Sequence, residues 1–146
     1  MKTEFRKVGL PKELRSLVSF DGKVFAAPDR FPASDWMEYE SWWMLVRGVK
    51  VGCCAFAKDH PRKGWLYIAS TAIARRHQGR GFGTILKSWE IAYAKFHGFR
   101  RVVTHSRRSN AAMIALNRKA GFQVVREIGH YYAEPDESAV VMELKL

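Results

Sequence analysis

Hydrophobic residues follow two different spacings along this 146-residue chain, and the spacings outline its strands and helices. Short runs rich in aromatic and β-branched residues predict strands, and apolar residues at helical spacing predict helices. The predicted strands cover residues 3–9, 42–46, 49–57, 65–73, 101–105, 122–128 and 139–146. The predicted helices begin at Pro11, at Ser34 or Asp35, after the glycine-rich stretch at residues 78–84, and at Ser109 or Asn110. They end at Asp21-Gly22, Glu40, Gly98 and Gly121.

The order of these elements predicts the fold class. Strands come first and a β-α-β-α-β-β series follows, which is typical of an α/β (α+β) fold. Such a fold has a mixed central sheet, here of six to seven strands, with helices on both faces. A chain of this length forms one domain with a real core, so we assign residues 1–146 to a single domain. The 47% of hydrophobic residues argues against intrinsic disorder.

The helix after residues 78–84 has the clearest helical pattern, and its apolar residues are expected to be buried. That predicted face consists of Ile85, Leu86, Trp89, Tyr93 and Phe96. In the next helix the predicted buried residues are Met113, Leu116 and Ala120. The segment 25–43 is rich in aromatic residues, which either cover one face of the sheet or wall a substrate cleft.

A basic, glycine-rich loop at residues 78–84 joins a predicted strand to this helix. That order directs free backbone N–H groups and the positive end of a helix dipole at one point, so the loop predicts an anion site, most simply for a phosphate. The glycine spacing fits neither the dinucleotide fingerprint G-x-G-x-x-G nor a P-loop. The alternative is a glycine-rich connector without a ligand.

The net positive charge of the chain is compatible with several classes of binding partner. Lys and Arg exceed Asp and Glu by 25 − 14 = 11. Such an excess suits a polyanionic small ligand, an acidic protein or nucleic acid, and it equally suits a merely basic surface.

The two cysteines, Cys53 and Cys54, are adjacent and would point to opposite faces of a strand. A disulfide between them is therefore awkward, and free thiols in a reducing cytoplasm are the simpler interpretation. With no second pair at metal-ligand spacing, no metal is expected. The charged N-terminus lacks a signal-peptide core, and no apolar run reaches the roughly 18 residues of a membrane span, so we expect a cytoplasmic chain without membrane contact.

Two motifs resemble signatures of the GNAT superfamily of N-acetyltransferases. Gln78, Gly81 and Gly83 fit Q/R-x-x-G-x-G/A, the pattern of the loop that holds the pyrophosphate of acetyl-CoA in that family. Residues 109–122 resemble the second signature, an Asn-capped helix that closes in Gly-Phe. The motifs occur in the family's order, and the resemblance covers residues 65–122 well. Residues 107–112, Tyr131-Tyr132 and 139–142 are similar to the ribosomal-protein-alanine N-acetyltransferases.

Two residues depart from the family pattern. Many GNAT enzymes have a tyrosine at the position of Asn117, where it protonates the departing thiolate. The alanine acetyltransferases have a glutamate where this chain has His105. With Asn117 in place of the tyrosine, Tyr132 and then Tyr131 become the candidate general acids, and His105, whose ordinary pKa lies near neutrality, becomes the candidate base. Each of these side chains could instead simply pack in the fold.

The resemblance implies acetyl-CoA as acyl donor, direct transfer to an amine, and a strand edge that pairs with the pantetheine arm. The implied coenzyme contacts are Thr71, Ala72, Ile73, Gln78, Gly79, Arg80, Gly81, Phe82, Gly83, Thr84, Asn110 and Asn117. A protein N-terminus is slightly favoured as acceptor over a small amine. Neutralising an α-amine at pH 7 costs about 1–1.4 kcal/mol, and neutralising a lysine amine costs about 4–5 kcal/mol. A homodimer is possible, and a nucleic-acid partner is not expected. The rival functions are a catalytically idle acyl-CoA sensor and a basic nucleic-acid-binding module.

Overall fold

Seven strands form one sheet in the computed structural model, in which residues 2–57 and 61–146 are described. The strands are Thr3–Lys7 (β1), Tyr39–Val46 (β2), Val49–Ala57 (β3), Trp65–Ile73 (β4), Arg101–Arg107 (β5), Gln123–Tyr132 (β6) and Glu137–Lys145 (β7). The helices are Leu14–Val24 (α1), Ala33–Glu38 (α2), Phe82–Phe96 (α3) and Ala111–Lys119 (α4), with short 3₁₀ turns at Ala27–Asp29 and Arg75–His77. The predicted fold class is confirmed, with the sheet at the upper end of the expected size.

The sheet is mixed, with the strand order β1-β2-β3-β4-β5-β7-β6. Its only parallel pairing among the described residues is β4 with β5, and α3 makes the crossover that such a pair requires. Strand β7 lies between β5 and β6 and is antiparallel to both. The parallel pair therefore lies near the middle of the sheet. Along the chain, β4 precedes the glycine loop and α3, and β5 follows them.

Hydrophobic cores cover both faces of the sheet. On one face, Phe82 and Leu86 of α3 pack with residues of β2 to β5 and β7. On the other face, Leu17 of α1 and Trp36 of α2 pack against β2 and β3. Cys54 belongs to the first core and Cys53 to the second, and both are free. The expected opposite orientation of the two thiols is confirmed. Burial raises the pKa of both thiols, so they are poor nucleophiles.

A β-bulge in β4 changes which face its side chains occupy. Ser70 pairs with Ala55 and Ile68 pairs with Phe56, so Ala69 is an extra residue on β4. Before the bulge, Leu66 and Ile68 pack in the core under α3, whereas Ala69 packs against the core under α1 and α2. Pairing between β4 and β5 stops at Ile68 with Thr104, although β4 stays paired with β3 as far as Ile73. The two parallel strands diverge from this point.

Several predicted boundaries were wrong, and four of them differ most clearly from the structure. Helix α1 does not end at Asp21-Gly22 but continues to Val24, where the Phe25 amide donates to the Asp21 carbonyl. The Asp21 side chain is buried and accepts a hydrogen bond from the Phe31 amide at 3.1 Å. The second helix ends before Glu40, and β2 begins at Tyr39 instead of residue 42. Strand β6 runs to Tyr132 instead of ending at residue 128, because it stays paired with β7 as far as Glu137.

The predicted buried face of α3 was correct in its centre and wrong at its edges. Leu86 is fully buried, but Ile85 is 36% exposed and Phe96 is 86% exposed. Lys87 and Glu90 take the buried positions instead, with 1% and 0% exposure. The stripe facing the sheet is thus shifted around the helix and contains a charged pair. Among the helices of the described residues, none is long and apolar enough to cross a membrane.

Candidate active site

The glycine loop begins α3 with an unusual backbone. Gly79 and Gly81 have φ angles of +74° and +86°, a left-handed conformation that favours glycine. Gly81 is the N-cap of α3, and no side chain in the described part of the chain caps this helix. The first amides of a helix have no intrahelical acceptor, so this end of α3 presents N–H groups to its surroundings. The Gln78 side chain donates to the Ile73 carbonyl at 2.9 Å and ties the loop to the end of β4.

A cleft of about 450 Å³ lies between the end of β4, the glycine loop and the start of α4. Seven of the predicted coenzyme contacts line it together, namely Thr71, Ala72, Ile73, Gln78, Gly79, Gly83 and Asn110. The Asn110 side chain also accepts a hydrogen bond from the Met113 amide at 3.2 Å, so it caps α4 as predicted. The structure therefore brings the strand edge, the loop and the second motif to one cleft, which we call the coenzyme cleft.

The other predicted coenzyme contacts lie outside this cleft. Gly81 and Thr84 are exposed at the start of α3, and Phe82 is buried in the core. Arg80 is exposed, with its guanidinium 5.9 Å from the centre of the Phe82 ring. Asn117 is fully buried, with its amide nitrogen 3.8 Å from the Met142 sulfur. Asn117 thus contacts the core and has no surface in the cleft.

A smaller cavity of about 150 Å³ lies where β4 and β5 diverge. It is lined by residues 69–71 of β4, residues 104–107 of β5, and Tyr132. Phe25, Thr71, Asn110 and Met113 line both this cavity and the coenzyme cleft, so the two spaces adjoin. We call it the junction cavity.

A third and larger cavity of about 780 Å³ opens on the face of the sheet that carries α1 and α2. Its aromatic wall includes Tyr39, Trp65, Tyr67 and Tyr131, and its charged residues are Glu38, Arg62, Arg126 and Glu143. His105 lines both this groove and the junction cavity. The three spaces therefore lie next to one another along the line where β4 and β5 separate.

The three candidate catalytic residues lie together where the junction cavity and the large groove adjoin. The ring centres of His105 and Tyr131 are 5.4 Å apart, and those of Tyr131 and Tyr132 are 4.9 Å apart. As neighbours on a strand, Tyr131 faces the large groove and Tyr132 the junction cavity. Burial raises the pKa of Tyr132 to about 12, so this phenol stays protonated at neutral pH.

Sequence reasoning missed Tyr67, whose hydroxyl lies 3.4 Å from Nδ1 of His105. Burial raises the pKa of Tyr67, which therefore also remains a neutral phenol. In the sequence it is one of several aromatic residues of a strand, and only its pairing opposite β5 places it beside the histidine.

The aromatic residues of segment 25–43 are divided between the core and the walls of two cavities. Trp36 and Trp43 are buried in the core and cover one face of the sheet. Phe25 and Phe31 line the junction cavity, and Tyr39 lines the large groove.

Comparison with known protein families decides the assignment. The model of the acetyltransferase (GNAT) family matches residues 12–122, about three quarters of the chain and both glycine and Asn motifs. This chain belongs to the GNAT acetyltransferase family. No curated protein matches its sequence significantly.

Solved structures with the GNAT fold cover almost the whole chain. The ribosomal-protein-S18-alanine N-acetyltransferase from Escherichia coli has a TM-score of 0.85 at 18% identity, over 99% of this chain and 94% of its own. A chain of the NatC complex bound to Gag peptide and CoA has a TM-score of 0.85 at 16% identity, over 100% and 99%. YncA from Salmonella typhimurium with its cofactor acetyl-CoA has a TM-score of 0.79 at 19% identity, over 100% and 95%. At these identities the likeness shows the GNAT fold.

Arg107 organises the rim of the site in this GNAT chain, a role that the sequence did not indicate. Its guanidinium contacts Asp29 at 2.7 Å and Glu137 at 3.2 Å, and it donates to the carbonyls of Ala133 and Pro135, each at 2.8 Å. It also lies 4.7 Å from the centre of the Tyr132 ring. The hydrogen bond with Asp29 raises the pKa of Arg107, which stays charged. One side chain thus ties the turn at Ala27–Asp29 and the β6–β7 turn to the end of β5.

Proposed function

We propose that this protein is an acetyl-CoA-dependent N-acetyltransferase that transfers an acetyl group to a primary amine by direct attack on the thioester. The observation that supports this best is the series of three adjoining spaces where β4 and β5 separate, with the coenzyme cleft at one end and the large groove at the other. The two substrates would enter from opposite faces of the sheet and meet at the junction cavity. Membership of the GNAT family and the acetyl-CoA complex of YncA are consistent with this donor.

The coenzyme would be held mainly by backbone groups. The amides of residues 79–84 would bind its diphosphate at the start of α3, where the helix dipole favours negative charge. Beyond Ile68, β4 is no longer paired with β5, so the edge at residues 71–73 is open to the pantetheine arm, which can pair with it like an added strand. An amide near Ile73 would then face the thioester oxygen and stabilise the oxyanion.

Proton movement follows the residues of the junction cavity. The amine nitrogen attacks the acetyl carbonyl, the new C–N bond forms, and the C–S bond breaks to release the thiolate of CoA. His105, with Tyr67 beside it, would accept the proton that the amine loses. Because a phenol of pKa about 12 holds its proton more tightly than a thiol of pKa about 8.5, Tyr132 would act first by donating a hydrogen bond to the thiolate. The proton released by the amine then completes the free thiol.

The acceptor in this proposal is a protein N-terminus. The large groove has aromatic walls and charges of both signs, a lining that suits the side chains of an extended peptide. Two solved structures of the same fold point the same way by their names, the S18-alanine acetyltransferase and the NatC complex with Gag peptide. An α-amine is also the easier nucleophile, since its neutral form costs less than that of lysine.

A panel of amines tests the proposal. Purified protein is first titrated with acetyl-CoA in a thermal unfolding assay, where a ligand at about 100 times its Kd stabilises by about 2.7 kcal/mol. Release of CoA is then measured with short peptides that have a free N-terminus, with N-blocked peptides that carry one lysine, and with spermidine. We expect acetylation of the free N-termini, located on the peptide by mass spectrometry.

Three outcomes would contradict parts of the proposal. Without any thermal shift, the coenzyme assignment is wrong. A shift without turnover of any amine would indicate an acyl-CoA sensor. Turnover restricted to spermidine or the lysine peptides would show that the acceptor class is wrong while the reaction is right.

A further inference from the structure

A charged pair is buried beneath the edge of β4. Lys87 Nζ lies 2.9 Å from Glu90 Oε1, and both side chains are at most 1% exposed. This contact is an ion pair between residues one turn apart on α3. The other carboxylate oxygen of Glu90 accepts a hydrogen bond from the Thr71 hydroxyl at 2.6 Å, and Lys87 Nζ lies 3.4 Å from the same hydroxyl. The charged pair on α3 thus contacts the side chain of Thr71 on β4.

Stability alone does not explain this pair. Removing two charges from water costs several kcal/mol per ion, and apolar replacements of similar volume are often neutral or stabilising. The surrounding positions are apolar, since Leu86 and Ala94 fill the same face of α3 and Lys87 Nζ lies 5.5 Å from the centre of the Phe122 ring. A methionine and a leucine would fit such a core without the cost of desolvation.

The residue that the pair holds occupies a special place. Thr71 lines both the coenzyme cleft and the junction cavity. It also follows the bulge at Ala69, in the part of β4 that has lost β5 as a neighbour and keeps only β3. A strand edge with one partner strand has fewer restraints on its position, and the Thr71 hydroxyl supplies an additional one from α3.

We propose that Lys87 and Glu90 are positioning residues that fix Thr71, and through it the open edge of β4, against the thioester of acetyl-CoA. This inference rests on the proposed function and assigns to the charged pair a role in placing the reacting group. The pair touches neither substrate in this account. Its charge is used because a carboxylate restrained by an ammonium group holds the hydroxyl in one direction, which an apolar contact does not do.

Loss of the charged pair should leave the affinity for acetyl-CoA nearly unchanged and lower the rate of acetyl transfer. Most of the coenzyme affinity would come from the glycine loop, which the pair does not contact, so the Kd for acetyl-CoA should change by less than about threefold. The rate should fall about 10- to 100-fold, because small misplacements of a reacting group have effects of that size. A residue needed only for folding would lower the unfolding temperature and leave the kcat of the folded fraction unchanged.

Two variants test this separation. The double variant Lys87→Met/Glu90→Leu replaces the charges by apolar groups, and Thr71→Val removes only the hydroxyl. Lys95→Met is the matched control, because it removes an exposed lysine from the same helix. Calorimetry gives the Kd for acetyl-CoA, and kcat is measured with an alanine-terminated peptide. Bound acetyl-CoA labelled with ¹³C at the acetyl carbonyl gives an NMR shift that depends on no acceptor.

We expect both variants to bind acetyl-CoA and to have a lower kcat. The carbonyl shift of bound acetyl-CoA should lie closer to that of the free thioester in both variants than in wild type. Lys95→Met should behave as wild type. If the double variant does not fold, Thr71→Val still decides. A kcat within about twofold of wild type, together with an unchanged carbonyl shift, in either folded variant would overturn the inference. If wild type itself does not bind acetyl-CoA, the proposed function has failed, which is a distinguishable result.

Discussion

Replacing Gly81 with alanine should weaken coenzyme binding far more than its effect on the fold would suggest. Gly81 has φ +86°, and apart from the adjoining backbone no atom lies within 4 Å of the position that a Cβ would take. The substitution therefore causes no clash, and its cost is the left-handed backbone, about 1–2 kcal/mol for an L-residue. For a chain of this size each kcal/mol lowers the unfolding temperature by about 2–4 °C, so we expect a decrease of about 2–8 °C.

The effect on binding is larger because the loop can relieve this strain by rotating its amides. A hydrogen bond to a charged group is worth about 1.5–3 kcal/mol, and losing one such bond to the diphosphate would raise the Kd about 10- to 150-fold. Gly81→Asn should retain more affinity, since asparagine tolerates the left-handed conformation better than alanine does.

Gly48→Ala is the control for this prediction. Gly48 has φ +78° in the turn between β2 and β3, and its Cβ position is equally open. The two alanine variants thus carry the same backbone cost, one at the coenzyme cleft and one away from it. Isothermal titration with CoA and thermal unfolding are measured on both. Equal affinity of Gly81→Ala and Gly48→Ala for CoA would refute the role of the loop.

Three further predictions concern Tyr132 in the junction cavity, Arg107 at its rim, and the carboxylate of Glu13. Tyr132→Phe should lower kcat by about 10²-fold or more with little change in the Kd for acetyl-CoA, because it removes the hydrogen bond to the thiolate. Arg107→Lys should destabilise the fold by about 1–3 kcal/mol in urea unfolding, since a lysine cannot contact two carboxylates and two carbonyls together. Glu13→Gln should lower the free energy of unfolding by about 1–2 kcal/mol at pH 7, a range that allows for the partial exposure of the Glu13 side chain. This difference from wild type should vanish as the pH falls towards 2.

The sign of the pH effect follows from the contacts of Glu13. The Gly9 amide donates to its carboxylate at 2.9 Å, and Arg6 and Trp43 donate as well. The Gly9 hydrogen bond is the largest cause that lowers the pKa of Glu13 to about 2. A carboxylate with a lowered pKa stabilises the fold above its ordinary pKa, and this contribution is lost as the pH falls through about 2.

Each of these predictions has a clear contrary result. An unchanged kcat in Tyr132→Phe would remove this residue from the chemistry. Wild-type stability of Arg107→Lys would mean that the four contacts of the guanidinium are incidental. A constant difference between Glu13→Gln and wild type from pH 7 to pH 2.5 would show that the charge of Glu13 is unimportant.

Local signals in the sequence were sufficient for several elements. The predicted bounds of β3 and β4 agree with the structure, because short turns and a change of period delimit both strands. The Asn110 cap and the end of α3 at Gly98, with φ +76°, were also predictable, since each depends on one residue's own chemistry. The family fold followed from two such local motifs.

Features that depend on distant partners were not predictable. The bulge at Ala69 exists only in the pairing of β4 with β3, and the contact of Arg107 with Asp29 joins residues far apart in the chain. Nothing in the sequence distinguishes Lys87 and Glu90 from surface charges, because a buried ion pair can be recognised only when the buried face of the helix is known. The coenzyme contacts and catalytic roles remain predictions that the geometry supports.

A crystal structure of the protein with CoA would test the central claim most directly. We predict that the diphosphate lies within hydrogen-bond distance, about 3 Å, of the amides of residues 79–84, and that the pantetheine arm runs beside residues 71–73 towards the junction cavity. A diphosphate bound elsewhere, or an arm that does not enter the space between β4 and β5, would contradict the account.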